Sequence, residues 1–522
     1  MGKTASAVVS LHKGAPTAAN DATYDAKAQI RSSHTSELVI ALCGPIGSPL
    51  HKVAAAFKEA LDGKFGYEHC LILRLSKLIE EHQGKAVSGP AFARTKELIE
   101  KGDALREKHG SAILAELAVS EIVLERQRFK ASSEAPTFQP RRICHIIDSV
   151  KNQEELDLLR LVYRDMLYFV GVFAPLPARV KSLEHKGMSS GEIHNLIDQD
   201  SGEEIAHGQT VRDTFPNADC FLRIDVDSDS QIAARVERFL HVILGTQVIT
   251  PTAAETAMYF AASAAGNSAC LSRQVGAAIT DANDEVIAVG WNDVPKAGGN
   301  LYMADPKNDP QSTHDLRCWN LEGGTCFNDQ EKKLISELLV EELAKVGVVS
   351  DQHKSLALDT IAKNSKVKSL IEFSRSVHAE MHAIINAGKL SSGSPENGKM
   401  YVTTYPCHNC ARHIVAAGVK EVYYIEPYRK SLATKLHSDA ITEEESDVAK
   451  VRILPYDGIA PLRYLKLFRV PPDSRKSGGK LIKVEPQSAT PRFDKTLEAL
   501  PTLEAMVVKG LREKNLLPTE VS

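Results

Sequence analysis

The sequence predicts an α/β protein of two or three domains, because short apolar runs alternate with helical patterns in both halves of the chain. In the first half, the apolar run at residues 37–43 leads into a glycine-containing loop at 44–49 and a helical pattern at 50–61. In the second half, the β-branched and aromatic run at 399–404 leads into a helix that ends at Gly418. A length of 522 residues fits this number of domains. We expect the strands of the first domain to form a parallel sheet.

The composition is that of a globular protein, with 43% hydrophobic and 25% charged residues. There is no apolar run of about 18 residues, so we expect no membrane span, and residues 1–35 are predicted to form a flexible tail. Nine cysteines without a secretory signal favour a reducing cytoplasm over a disulfide framework. A net charge of -4 argues against a dedicated nucleic-acid surface.

The loop after the first strand has the strand, glycine loop and helix plan of a phosphate-binding site. Compared with the pattern G-x-x-x-x-G-K-[ST], Pro49 replaces the second glycine, Leu50 the lysine and His51 the hydroxyl residue that binds Mg²⁺. Phosphoryl transfer is therefore not expected. A bound nucleotide and a purely architectural turn both remain open. The candidate nucleotide contacts are Gly44, Gly47, Ser48 and, at the end of a later strand, Asp148.

The order of elements over residues 36–249 continues the alternation of strands and helices. The run at 142–148 ends in Asp148, as at an Mg²⁺-binding strand end, although such an aspartate is often only a cap. A strand at 168–173 precedes a helix that begins at Pro177. This order resembles the nucleoside-monophosphate kinase branch of the P-loop folds. The resemblance implies a degenerate kinase-like domain.

A second domain is predicted to begin near residue 250. Thr252 and Glu255 form a capping-box pattern that starts a new helix. We expect this domain to cover residues 250–485, with an insertion at 293–376 that contains an amphipathic helix. A helical extension is expected at 486–522.

Two motifs in the second domain predict a catalytic zinc site. Val377-His378-Ala379-Glu380 and Pro406-Cys407-His408-Asn409-Cys410 follow the H-x-E and P-C-x-x-C pattern of zinc nucleobase deaminases. His378, Cys407 and Cys410 supply three ligands, whereas a structural zinc is usually closed by four. The fourth position then remains for water, and Glu380 is expected to move the protons.

Other interpretations of these motifs stay open at this point. A lone C-x-x-C is often half of a structural zinc site or a redox pair. His382 lies one turn after His378 on the same helix face and is a competing ligand. A second, structural zinc is also a candidate within the insertion, although isolated cysteines are more often small buried hydrophobes. Its three candidate ligands are His314, Cys318 and Cys326.

The hairpin expected at 270–289, the Gly290-Trp291-Asn292 segment and the zinc motifs are together similar to the deoxycytidylate deaminases. The resemblance implies a cytidine deaminase-like α/β/α sandwich, a Zn²⁺ cofactor and a homo-oligomer. It also implies that Asn292 hydrogen-bonds the nucleotide and that Ser272 and Arg273 help hold its 5′ phosphate. The chain departs from the family at His382, where the family often has asparagine.

The whole layout resembles the bacterial anti-phage deoxycytidylate deaminases, in which a kinase-like domain precedes the deaminase. The resemblance implies conversion of dCMP, and of dCTP as a further candidate, to deoxyuridine nucleotides, which drains the deoxycytidine nucleotide pool that a phage needs to replicate. It also implies a regulatory nucleotide on the first domain. Two other hypotheses are a deaminase of bases in RNA or single-stranded DNA, and a nucleotide-binding regulator with a structural zinc.

Overall fold

The structure is a computed structural model that describes residues 34–82, 88–132, 141–200, 211–224, 228–321, 323–368, 370–390, 393–427, 431–470, 474–492 and 500–516. Most of the predicted tail at residues 1–35 lies outside these ranges. Arg429 and Lys430 also lie outside them; from the sequence, this basic pair is a candidate contact for substrate phosphates or a solvated pair on a loop.

The first domain is built on a parallel sheet, as the sequence predicts. Its strands are β1 (Leu38–Cys43), β2 (His69–Arg74), β3 (Ile143–Asp148), β4 (Leu167–Phe173) and β5 (Cys220–Arg223). They lie side by side in the order β2, β3, β1, β4, β5, and every neighbouring pair is parallel. All six residues of β1 are buried, as expected for a central strand covered on both faces.

Helices cover both faces of this sheet. They are α1 (Leu50–Asp62), α2 (Leu75–His82), α3 (Ala91–His109), α4 (Ile113–Ser132), α5 (Gln153–Tyr163), α6 (Leu176–Glu184), α7 (Ser190–Asp200), α8 (Val211–Thr214) and α9 (Asp229–Leu244). Apolar side chains of α1 and α9, such as Phe57 and Phe239, fill the core on one face. Side chains of α4 and α5, such as Leu117 and Leu156, fill the core on the other.

The second domain contains a mixed sheet between two helical layers. Its elements are α10 (Ala253–Ala265), β6 (Gly276–Thr280), β7 (Val286–Trp291), α11 (Phe327–Lys345), α12 (Lys354–Lys363), α13 (Ser365–Lys368), α14 (Ala379–Leu390), β8 (Lys399–Thr404), α15 (His408–Ala416), β9 (Glu421–Glu426), α16 (Ala433–Leu436), β10 (Ile441–Thr442) and β11 (Val451–Pro455). The strand order is β10, β11, β9, β8, β6, β7. Strands β6 and β7 form the predicted antiparallel hairpin, and β8, β9, β10 and β11 are parallel to one another.

Helix α10 lies on one face of this sheet, and α14 and α15 lie on the other. Thr252 caps α10 through the predicted capping box with Glu255. Glu255 is 1% exposed and also accepts two hydrogen bonds from Arg238 of α9, at 2.9 and 2.7 Å. Buried Ala257, Met258 and Ala261 of α10 belong to the same apolar cluster as the core of the first domain. The two sheets therefore share a packed helix.

The carboxyl-terminal part of the chain returns to the first domain, which differs from the predicted boundary at residue 485. Its elements are β12 (Gly458–Ile459), α17 (Pro461–Phe468), β13 (Lys476–Ser477), β14 (Lys480–Leu481) and α18 (Leu500–Glu513). Strand β12 pairs antiparallel with β5 at the edge of the first sheet. Arg142 of the first domain donates to the carbonyls of Pro486 and Ala489, and buried Arg126 contacts Glu504 of α18. Segments distant in sequence thus complete the first domain, which local patterns do not reveal.

The insertion at 293–376 forms the helices α11 to α13. Helix α11 lies where the sequence predicts an amphipathic helix, but it buries only Ser336 and Val340. Leu334, Leu338 and Leu339 of this helix are about half exposed. No helix in the described ranges has the length and apolarity needed to cross a membrane.

Candidate active site

The first zinc motif lies where α14 packs closely on β7. A Cβ atom at Gly290 of β7 would stand 2.3 Å from the backbone N of Ala383 and 2.5 Å from the carbonyl O of Ala379. Only glycine permits this approach. It fixes the start of α14, and with it His378, directly before the helix, and Glu380, in its first turn.

The second motif lies at the junction of β8 and α15. Cys407 is the residue that caps α15, and its sulfur accepts a hydrogen bond from the backbone N–H of Cys410 at 3.4 Å. The sequence predicts this position, since Pro406 precedes the first turn and Gly418 follows the helix. Both cysteine sulfurs therefore lie in the first turn, where the helix dipole favours a thiolate.

The two motifs bring three ligand atoms together. Nδ1 of His378 lies 3.3 Å from Sγ of Cys407 and 3.3 Å from Sγ of Cys410. In tetrahedral zinc sites the usual bond lengths place nitrogen and sulfur ligands about 3.6 Å apart, close to the observed spacing. Within the described ranges these three residues are the one group of three or more such side chains whose ligand atoms converge. The donor set and spacing therefore fit Zn²⁺.

The electrostatics of the site suit a metal ligand set and a buried acid. The hydrogen bond from Cys410 and the neighbouring His378 lower the pKa of the Cys407 thiol well below its usual value, against the effect of burial. Glu380 is 4% exposed. Burial raises the pKa of Glu380, and the charge on Cys407 raises it further. A carboxyl group with a raised pKa can both accept and hold a proton near neutral pH.

His382 is not positioned as a ligand. Its Nδ1 lies 3.2 Å from the backbone N of Trp291, and its Nε2 lies 3.1 Å from the side-chain amide of Asn386. The ring of His382 also packs edge-on against the Trp291 ring. Both nitrogens are thus occupied on the β7 side of α14, so the competing interpretation of His382 is wrong.

The three residues expected to bind substrate lie on two neighbouring segments, with Ser272 and Arg273 on the loop before β6 and Asn292 directly after β7. The Asn292 side chain accepts from the backbone N–H of Val275 at 2.7 Å and donates to the carbonyl of Arg273 at 2.9 Å. Arg273 is half exposed and pairs with Glu426 at 2.6 Å. Ser272 is exposed, and its hydroxyl lies 3.7 Å from the sulfur of Cys326. Asn292 therefore holds the loop that carries the other two, and their contacts with substrate stay a prediction.

Asp293 is a positioning residue that the sequence interpretation missed. Its carboxylate accepts from the backbone N–H of Ala269 at 3.0 Å and from Arg317 at 3.2 Å. Its backbone pairs with Val377, the neighbour of His378. Asp293 is 1% exposed. The sequence signal that could have identified Asp293 is its position directly after the Gly290-Trp291-Asn292 segment.

The proposed second zinc site does not form. Among the described residues, His314, Cys318 and Cys326 do not converge on one point. His314 is 86% exposed and faces Asp309, while Cys318 contacts Arg375 and Cys326 faces Ser272. The three residues are near in sequence, but the path of a long insertion does not bring their side chains together in space.

The glycine loop of the first domain is largely closed on itself. The backbone N–H of Ser48 donates to Pro45, and Lys151 donates to the carbonyl of Gly44 at 2.9 Å. Asp148, at the end of β3, contacts His51. Gly47 has a left-handed φ of 85° and lies against α6. The four predicted contacts are near one another at one sheet edge, and nucleotide binding by them stays a prediction.

Comparison with known proteins agrees with the geometry of the zinc site. Residues 251–426, which hold all three ligands and Glu380, match the family profile described as the cytidine and deoxycytidylate deaminase zinc-binding region. These residues are a deaminase zinc-binding region. The chain is accordingly a zinc-dependent hydrolytic deaminase.

The comparison also finds similarity to two curated proteins and to one solved structure. Deoxycytidylate deaminase of Enterobacteria phage T4 is 28% identical over 187 residues, which are 34% of this chain and 80% of the phage protein. Deoxycytidylate deaminase of Saccharomyces cerevisiae is 24% identical over 304 residues, which are 54% of this chain and 75% of the yeast protein. The crystal structure of dCMP deaminase from cyanophage S-TIM5 with dCMP and dUMP is 21% identical, covers 40% of this chain and 98% of that chain, and has a TM-score of 0.23.

Proposed function

We propose that this deaminase converts deoxycytidine nucleotides, dCMP and also dCTP, to the corresponding deoxyuridine nucleotides. The observation that carries the proposal is the three-ligand cluster with a buried carboxyl group beside it. The similarity of the chain to deoxycytidylate deaminases supports this substrate class. Arg273, on the loop held by Asn292, offers a cation for the substrate phosphate.

In the proposed reaction, three residues of the chain hold the metal and a fourth transfers protons. Zinc, when held by His378, Cys407 and Cys410, supplies a water whose pKa is lowered to about 7. As the water oxygen bonds to C4 of cytosine, Glu380 accepts one proton from the water and gives it to the ring nitrogen. Glu380 then takes the second proton from the new C4 hydroxyl group and gives it to the amino group, so that the C4–N bond breaks and ammonia leaves. The burial of Glu380 keeps bulk water from competing for this proton.

Ammonia release from purified protein tests the proposal. Incubation with dCMP, dCTP, CMP and single-stranded DNA should give turnover with the two deoxyribonucleotides. Glu380→Ala should retain zinc and lose turnover, whereas a structural zinc would leave the function of the protein unchanged in this variant. Turnover with single-stranded DNA and none with free nucleotides would instead support the base-editing alternative.

The proposal extends to a role in defence against phage, by depletion of the deoxycytidine nucleotide pool, and to a degenerate kinase-like first domain. The layout of the chain supports it, with a parallel sheet domain and a closed glycine loop before the deaminase. Cells that express the wild-type chain should lose dCTP during infection, and cells with Glu380→Ala should not. Equal dCTP levels in both would refute this role.

The proposal also includes a homo-oligomer in the cytoplasm. Half-exposed Leu334, Leu338 and Leu339 on α11 support self-association, because exposed apolar patches often mark interfaces. Light scattering of the purified chain measures the mass directly, and a monomer at micromolar concentration would contradict the proposal.

A further inference from the structure

An irregular segment of the insertion packs beside the zinc site. Residues 302–321, all of which the structure describes, contain no helix or strand, and we call this segment the insertion loop. Such a segment lacks the regular backbone hydrogen bonds of a helix or sheet, so side chains must satisfy its polar groups and hold its shape. Asn320 does so within the loop, since its side-chain amide donates to the carbonyls of Ser312 and Asp315 at 2.6 and 2.9 Å.

Arg317 anchors the insertion loop in the protein interior. Its Nε donates to both carboxylate oxygens of Asp315, at 2.9 and 3.0 Å, and its Nη2 donates to Oδ2 of Asp315 at 2.6 Å. Its Nη1 donates to Oδ2 of Asp293 at 3.2 Å. Arg317, Asp315 and Asp293 are 6%, 7% and 1% exposed. Loss of this arginine would leave two buried carboxyl groups without their cation, which is costly in the interior of a protein.

Asp293 joins the insertion loop to two other segments of the second domain. Its Oδ2 also accepts from the backbone N–H of Ala269, in the loop before β6, at 3.0 Å. Its backbone forms two hydrogen bonds with Val377, in which its N–H donates at 3.3 Å and its carbonyl accepts at 2.9 Å. Val377 directly precedes the zinc ligand His378. A displacement of Asp293 is therefore passed on to His378.

The pairing of Val377 with Asp293 fixes the side of His378 that α14 does not. After His378, the close approach at Gly290 fixes the start of α14. Before Val377, residues 371–376, which the structure also describes, form neither helix nor strand. Groups that orient a metal ligand from outside the ligand set typically change metal affinity or activity 10–100-fold when they are removed.

We propose that Arg317 is a positioning residue of this deaminase, through which the insertion loop fixes the zinc ligand His378. Asp315 orients the guanidinium group, the guanidinium group holds Asp293, and Asp293 holds the backbone that leads into His378. The insertion loop therefore determines how firmly the zinc is retained and how fast deamination runs. The effect on dCMP turnover rests on the proposed function, whereas the effect on zinc retention does not.

Zinc release tests this role without any substrate. The zinc-loaded full chain is mixed with a chromogenic chelator, and the rate of metal transfer is measured. Arg317→Met should release zinc at least about tenfold faster than the wild type. Arg317→Lys should release it more slowly than Arg317→Met, because a positive charge remains beside Asp293. Asp315→Asn keeps the charge of Arg317 but removes the carboxylate that orients it, and should release zinc at least about threefold faster than the wild type.

Arg106→Met is the matched control for a loss of stability alone. Arg106 is 2% exposed and pairs with Glu155, which is 0% exposed, but both lie in the first domain. This variant should lose stability in denaturant unfolding, as Arg317→Met does, and should release zinc at the wild-type rate. Equal acceleration of zinc release in the two variants would overturn the positioning role, because release would then follow the overall stability.

A double variant tests whether Arg317 acts through Asp293. Asp293→Asn alone should also accelerate zinc release. If the two residues act in one path, Arg317→Met/Asp293→Asn should exceed the faster single variant by less than about threefold. An effect equal to the product of the two single effects would overturn the path through Asp293.

Turnover separates positioning of the metal ligand from contact with the substrate. With saturating zinc, kcat for dCMP should fall at least about tenfold in Arg317→Met. The ratio of kcat/KM for dCMP to that for deoxycytidine should stay within about threefold of the wild type, and a larger change would place Arg317 at the phosphate and overturn its positioning role.

Unchanged zinc release in Arg317→Met and Asp315→Asn would overturn the whole inference, and Asp315→Asn decides alone if Arg317→Met does not fold. Faster zinc release in the variants of a chain that does not turn over dCMP would support the positioning role and refute only the proposed substrate.

Discussion

The close approach of α14 to β7 gives a quantitative test of how the catalytic residues are positioned. In Gly290→Ala the new Cβ would lie 2.3 Å from the backbone N of Ala383, whereas ordinary contacts begin at 3.4 Å. The obstructing atoms belong to the backbone, so no side-chain rotation relieves the clash. Strand and helix must separate by about 1 Å, the difference of these two distances.

This displacement should reduce both stability and activity. Overpacking of this kind lowers the free energy of unfolding by about 1–3 kcal/mol. A misplacement of about 1 Å can reduce catalysis about 100-fold, and α14 carries Glu380 and follows His378. Denaturant unfolding, zinc content per chain and kcat/KM for dCMP measure the two effects separately.

Gly388→Ala is a matched control on the same helix. A Cβ at Gly388 meets nothing within 4 Å, and the residue is exposed. The variant should keep wild-type activity and change stability by less than about 1 kcal/mol. A Gly290→Ala variant with wild-type stability and a kcat/KM within about threefold of the wild type would contradict this account of the close approach. So would a Gly388→Ala variant that loses as much stability and activity as Gly290→Ala.

Three further predictions follow from the structure. Glu380→Gln should keep its zinc and lose about 10²–10⁴-fold in kcat, measured by ammonia release. Loss of zinc from this variant would show instead that Glu380 is a metal ligand. Arg273→Gln should lower kcat/KM about 10-fold or more for dCMP but not for deoxycytidine, and equal losses would exclude a phosphate contact. Arg106→Met should cost about 3–5 kcal/mol in denaturant unfolding because it removes the arginine partner of the Glu155 carboxyl group, which is 0% exposed. Arg94→Met removes a half-exposed arginine from its pair with Glu80 and should cost less than about 1 kcal/mol.

The zinc ligands could be predicted because their pattern is local. His378 precedes a helix, and Cys407 and Cys410 occupy one first turn, so short-range spacing fixes most of the geometry. The capping box at Thr252 was predictable for the same reason. The parallel direction of the strands in the first sheet was also predictable from the alternation of strands and helices.

Features that depend on distant segments could not be predicted in this way. The pairing of β12 with β5 joins residues more than 200 positions apart, and two residues of strand carry no recognisable pattern. The Asn386 contact that occupies His382 depends on the packing of α14 against β7. The separation of His314 from Cys318 and Cys326 depends on the path of a long insertion.

The shared carboxylate of Glu255 has a consequence for protein engineering. It accepts from Arg238 before the domain boundary and from the backbone N–H of Ile459 near the other end of the chain, at 2.9 Å in each case through the same oxygen. Division of the chain at residue 250 would remove strand β12 from the sheet of the first domain. It would also leave Glu255 of the second fragment buried without Arg238. The two halves are not interchangeable modules, and chimaeras that exchange the first domain need to carry residues 456–516 along with it.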